Sequence, residues 1–255
     1  MKIRSIRLAV LMLSAVALTS SGCSPGENPV QSLGAPNLSA SAGSLSPLGS
    51  LKDPPAFDPS AFGSVIDHPY FPLVPGTMTH FAGAGETIDV EVLHERKNIL
   101  GIDATVVRDR VYVAGELAED TFDWYAQDQA GNVWYLGEDS KEYANGVVVS
   151  THGSWEAGVD GAQPGFVMEA HPRPGDTYRQ EYAPGVAEDM ATVVSLKKNV
   201  TVPYGTFDGC IQTTEFTHLA PGNRGSKYYA RGVGLVLEVA PRGGRERVEL
   251  VSVEP

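Results

Sequence analysis

From Phe71 to Val253 the chain alternates apolar and polar residues in short runs broken by turn residues, and no segment sustains helical spacing over three turns. A period of two puts successive side chains on opposite faces of an extended strand, so this pattern confines the chain to sheet structure. Ile88-Asp89-Val90-Glu91-Val92 shows it plainly. The same spacing marks Thr105 to Val113, Thr121 to Asp128, Val133 to Glu138, Val147 to Ser150, Phe166 to Ala170, Thr177 to Ala183, Ala191 to Leu196, Cys210 to Thr217, Lys227 to Ala230, Leu235 to Val239 and Arg247 to Val253. Turn chemistry separates these runs, as in Leu100-Gly101, Ala130-Gly131-Asn132 and Pro221-Gly222-Asn223. The fold class is all-β and antiparallel.

The two ends of this region echo one another. Pro75-Gly76-Thr77, His80-Phe81 and Glu86-Thr87-Ile88-Asp89-Val90 find counterparts in Pro174-Gly175-Asp176-Thr177, Glu181-Tyr182 and Glu188-Asp189-Met190-Ala191-Thr192-Val193. Lys97-Asn98 recurs as Lys198-Asn199, and Trp124-Tyr125-Ala126 with Gly131 to Leu136 recurs as Tyr228-Tyr229-Ala230 with Gly232 to Leu237. The expected architecture is one domain over 70–255, a barrel or two packed sheets built from two similar meanders, 75–142 and 174–240, with an inserted loop at 143–173.

The N-terminus gives an address. Lys2, Arg4 and Arg7 precede an apolar run from Leu8 to Leu18, which ends in Ser20-Ser21-Gly22-Cys23. Such a run is too short to span a bilayer, so residues 1–22 read as a cleaved export signal and Cys23 as the acceptor of a lipid. Ser20 stands where that pattern prefers a large aliphatic residue, which keeps ordinary secretion as the alternative. Residues 23–69 are rich in Ser, Gly, Pro and Ala and read as a tether that would hold the domain roughly 35 to 40 Å from the lipid. Phe57 and Phe62, unusual in a linker, are expected to pack on the domain.

Formal net charge is −12, and losing the signal makes it about three units more negative. That excludes nucleic acid as a partner and leaves the lipid on Cys23 as the only expected tie to a membrane. With Cys23 lipidated, Cys210 has no disulfide partner and reads as a buried small apolar residue.

Val202-Pro203-Tyr204-Gly205-Thr206-Phe207 with Cys210, followed by Lys227-Tyr228-Tyr229-Ala230-Arg231-Gly232-Val233-Gly234-Leu235-Val236, resembles a pattern of bacterial envelope proteins of the DUF3108-like group. The resemblance spans about forty residues. It implies a curved antiparallel sheet exported to the envelope and carries over no catalytic residue.

Candidate site residues concentrate in the inserted loop, where His152, Trp155, Glu156 and Asp160 are read as ligand-binding together with Trp124 and Trp134. Aromatic surfaces suit stacking on a sugar or an apolar ligand. His152, Glu156 and Asp160 would also serve a metal-dependent enzyme or hydrolase, though the loop lacks an HExxH type of signature and Ser154 lacks a nucleophile elbow. Asp123, Asp128 and Asn132 are the oxygen ligands the acidic 116–139 stretch would offer calcium, but their spacing does not match an EF-hand, and a solvated acidic face is the preferred reading. No cofactor is expected. The composite reading is a non-enzymatic envelope lipoprotein that binds a small molecule or a protein; a secreted enzyme and a purely structural component are the alternatives.

Overall fold

The computed structural model describes residues 57–239 and 246–255, together with the backbone of Leu51–Lys52. Cys23, the signal segment and most of the tether lie outside the described residues. In chain order the strands are β1 (Leu51–Lys52), β2 (Ile66–His68), β3 (Phe71–Leu73), β4 (Met78–Gly83), β5 (Glu86–Ile99), β6 (Ile102–Val113), β7 (Glu116–Gln127), β8 (Val133–Ala144) and β9 (Val147–Ser150). They continue as β10 (Trp155–Glu156), β11 (Gln163–Met168), β12 (Thr177–Arg179), β13 (Glu181–Tyr182), β14 (Asp189–Val202), β15 (Gly205–Thr217), β16 (Arg224–Ala230), β17 (Gly234–Val239) and β18 (Arg247–Glu254).

Sixteen strands form one sheet, with β2 and β3 in a second. The main path runs β1-β12-β14-β15-β16-β17-β18-β4-β5-β6-β7-β8-β11-β13, while β9 and β10 add to β8. Every pairing is antiparallel except β1 with β12. The sheet curls until its ends meet: β11 touches β12 and β13 touches β14, giving a nearly closed barrel. At that seam a Cβ on Gly165 would lie 2.4 Å from the Arg179 carbonyl oxygen, so a residue without a side chain lets the two strands approach.

Two hairpins are much longer than the alternation suggests. Strands β5 and β14 each run 14 residues, past the points where period two breaks at His94-Glu95 and Lys197-Lys198. Register shifts between Val92 and Arg96, and between Val193 and Val200, bend each strand there, so the side-chain pattern is reset without the strand ending. The far end of β5–β6 lies beside Trp124 and the 152–165 loop, with Leu100 against Gly158. The far end of β14–β15 packs Val200, Val202 and Cys210 against Phe81, Ile88 and Leu250. Cys210 is a buried free thiol whose Sγ donates to the Phe207 carbonyl.

Each bent strand is held in the same way where its register shift begins. Gly76 N–H donates to Val92 O, Thr77 N–H to Val74 O, and Val92 N–H to Thr77 O. Gly175 N–H donates to Val193 O, Asp176 N–H to Arg173 O, and Val193 N–H to Asp176 O.

Residues 57–69, which composition assigns to the tether, belong to the packed structure. Phe57 and Phe62 both sit edge-on to Trp134, with ring centroids 5.6 and 5.7 Å away. The β2–β3 hairpin is tied to the barrel by Gln127, whose Oε1 accepts from the Asp67 and His68 N–H groups and whose Nε2 donates to Asp67. Gly232 N–H donates to Pro69 O from the opposite side.

Candidate functional site

Strand β3 crosses one opening of the barrel, and beneath it lies a cavity of about 410 Å³. That volume falls in the range of small-molecule sites. Phe71 and Leu73 from β3, Val107 from β6, Val233 from the β16–β17 turn and Leu235 from β17 supply apolar wall. Val74 and Tyr204 also line it and are exposed, which places them at the mouth. Asp109 (β6), Asp123 and Tyr125 (β7), and Lys227 and Tyr229 (β16) line the deep end, and all are buried. Two-residue periodicity explains the set: Val107 and Asp109, Asp123 and Tyr125, and Lys227 and Tyr229 are each i, i+2 pairs on one strand face.

The barrel interior behind this floor is densely charged. Buried carboxyl groups of Glu86, Glu138, Glu181, Asp189, Glu215 and Glu238 join Asp109 and Asp123. Lys227 is the only lysine or arginine buried among the described residues, and its Nζ lies 2.9 Å from Glu215 Oε2. Burial pulls the Lys227 ammonium toward neutrality, but Glu215, Glu238 and Asp189 more than offset that and keep it charged. The carboxyl groups move the other way. Burial, reinforced by Asp123 and Glu119, holds Asp109 well above the usual range. Burial likewise raises Asp123 to about 7, and Asp189 and Glu238 each to about 8.

Tyr135 shows how these groups share protons. Its hydroxyl lies 2.6 Å from Asp123 Oδ1 and 3.0 Å from Glu138 Oε2. One phenol proton can be donated to only one of them, so the second contact needs a proton on a carboxyl group. Burial, then Asp123 and Glu119, raise the Glu138 carboxyl well above the ordinary range, so Asp123 and Glu138 titrate as a pair that holds such a proton.

The residues singled out in the sequence are dispersed. Trp155 is buried with its ring edge-on to Tyr135, 5.4 Å between centroids. Glu156 reaches Lys97 Nζ at 2.7 Å, and that ammonium sits 3.4 Å from the centroid of the Trp124 ring, so Trp124, Lys97 and Glu156 form one stack. Gly137 makes room for it, because a Cβ there would lie 2.3 Å from the Trp155 carbonyl oxygen and 3.1 Å from the Trp124 ring. His152 and Asp160 are exposed, Asp160 in a turn with φ 49°. The Ser154 hydroxyl donates to Ser140 O and accepts from Ser140 N–H, standing in for a strand neighbour. Trp134 is buried, and its indole N–H donates to Asp128 Oδ2. Asp128 also accepts from the backbone and side-chain N–H groups of Asn132, which locks the β7–β8 turn. Asp123 is elsewhere, on the cavity floor. Among the described residues no three His, Cys, Asp or Glu side chains are grouped to hold a metal ion.

One expectation is overturned. The acidic stretch does not form a solvated face: Glu119, Asp120, Asp123 and Glu138 are all buried. Alternation says that two strand faces differ, not which of them faces water, and here the polar face of β7 turns into the barrel. The cavity floor was missed for that reason. A usable signal was present in Glu238, a carboxylate inside the otherwise apolar run Leu235 to Val239, and in Lys227 directly before Tyr228-Tyr229-Ala230.

No family model matches the chain, and no curated protein matches it. Two solved structures are matched by the chain. A protein from Bacteroides fragilis described as exported, with a YmcC-like fold, is 12% identical over 73% of this chain and 99% of its own, with a TM-score of 0.40. A protein from Parabacteroides distasonis described as a lipoprotein is 11% identical over 72% of this chain and 98% of its own, with a TM-score of 0.38.

Proposed function

We propose that this is an exported envelope protein, anchored by a lipid on Cys23, whose barrel binds a small, largely apolar molecule in the cavity beneath β3. The observation that carries the reading is the cavity itself: a mouth at Val74 and Tyr204, apolar walls, and a few convergent polar groups at the closed end. The reading rests on the cavity rather than the 152–160 loop because His152 and Asp160 are exposed and Glu156 is engaged by Lys97. Export rests on the signal-like N-terminus, and the matched hydrogen bonds at Gly76 and Gly175 support a barrel built from two copies of one meander.

The test is fluorescence titration with N-phenyl-naphthylamine, which brightens in apolar surroundings. The wild-type protein is expected to saturate at one site, and Val233→Trp, which narrows the cavity from a turn residue, is expected to abolish the enhancement while retaining the wild-type circular dichroism. Equal enhancement in both proteins, or none in the wild type, would overturn the reading.

A further inference from the structure

We propose that the cavity selects a ligand carrying a protonated amine, seated on the carboxylate of Asp109 with its apolar chain running out past Phe71 and Leu73. This rests on the cavity being the binding site.

The first observation is an unfilled acceptor. Asp109 is 4% exposed, lines the cavity, and its Oδ1 has no hydrogen-bond partner among the described residues. A buried carboxyl oxygen left without a donor is costly, and a ligand N–H entering from the mouth would satisfy it.

Charge decides what kind of donor. The groups facing Asp109 are Asp123 and Glu119 from β7, Lys227 from β16 and Glu238 from β17. Lys227, the one cation of the set, is already held by Glu215 at 2.9 Å. An anionic head group would therefore find no free cation to receive it, whereas an ammonium can draw Asp109 into its carboxylate form and pair with it. Aromatic faces favour the same choice. Phe71, Tyr125 and Tyr229 form a wall in which the Phe71 ring lies 5.5 Å from Tyr125 and 6.3 Å from Tyr229, and such rings attract cations.

Docking exchanges a proton. Burial keeps the Asp109 carboxyl protonated well above the ordinary range, so seating R–NH3⁺ on it converts the carboxylic acid to a carboxylate and releases one H⁺ to solvent. Amine affinity should then rise as pH rises until Asp109 ionises in the free protein or the amine itself loses its proton.

Calorimetry with decylamine, decanol and decanoate separates the alternatives, because the three share a chain length and differ in the head. The wild-type protein is expected to bind decylamine at least about tenfold more tightly than decanol, the advantage of a charge-assisted hydrogen bond. The heat should depend on the buffer in the way one released proton requires. Asp109→Asn is expected to bring the ratio of decylamine to decanol affinity down to about one. Decanol or decanoate binding as tightly as decylamine to the wild-type protein overturns the amine inference and leaves the cavity reading standing. If none of the three binds, both fall. The comparison of head groups in the wild-type protein needs no variant, so a poorly folding Asp109→Asn does not blunt it.

Discussion

Lys227 on β16 and Glu215 on the adjacent β15 form an ion pair of 2.9 Å inside the barrel, with side chains 5% and 2% exposed. The pair anchors an interior in which carboxyl groups far outnumber cations. Removing one partner of such a pair leaves a buried charge uncompensated, which costs about 3–5 kcal/mol. Lys227→Met should lower Tm by roughly 10 °C, at about 2–4 °C per kcal/mol for a domain of this size. Lys227→Met combined with Glu215→Gln should recover part of that loss, because the orphaned carboxylate becomes an amide. Differential scanning calorimetry of the two variants checks both statements.

Stability should fall as pH rises. Asp123, Asp189 and Glu238 have folded pKa values of about 7, 8 and 8 against ordinary values of 3.8, 3.8 and 4.5, all raised first by burial. Between those limits the folded state binds more protons than the unfolded chain, so unfolding becomes easier with each step in pH. The contribution is complete below about pH 4 and is lost as pH passes through about 7 to 8. Thermal melts should show a lower Tm at about pH 8.5 than at about pH 5. A flat profile, or one rising across this range, would mean the interior carboxyl groups are not held protonated.

Trp155 and Lys97 should behave in opposite ways when truncated. Trp155 packs edge-on against Tyr135 and is 7% exposed, so Trp155→Ala should cost about 3–5 kcal/mol as a core deletion. The Lys97–Glu156 pair is about one-third exposed on both sides, and Lys97→Ala should cost less than about 1 kcal/mol. Urea denaturation measures both. A mild Trp155→Ala with impaired ligand capture would instead return the site to the inserted loop.

These contrasts show what could be read from residues alone. Alternation and turn chemistry are local, so the strands and most turns were legible, as were the aromatic contacts of Phe57 and Phe62. The continuation of β5 through His94-Glu95-Arg96 was not, because a bulge resets the face pattern while the backbone stays extended. Nor was the burial of Asp123 legible, since a carboxylate on a strand face looks the same whether that face meets water or closes into a barrel. Trp155 reads in the sequence as a ligand-binding aromatic of a Gly-rich loop. It is instead a plug over the β8 edge, admitted by the missing side chain of Gly137.

Anchorage is testable on the purified protein from its native membrane. Intact mass and tryptic mapping are expected to show an N-terminus at Cys23 carrying diacylglycerol. An unmodified Cys23, or an N-terminus elsewhere, would make the protein secreted and leave the barrel account unchanged.

The most direct measurement is methyl NMR of the labelled protein during titration with N-phenyl-naphthylamine. If the cavity is the site, resonances of Val107, Val233 and Leu235 shift together and saturate at one equivalent, while Val147 and Val159 on the exposed surface stay fixed. Shifts confined to Val159 and its neighbours, with Val107 unmoved, would contradict the account.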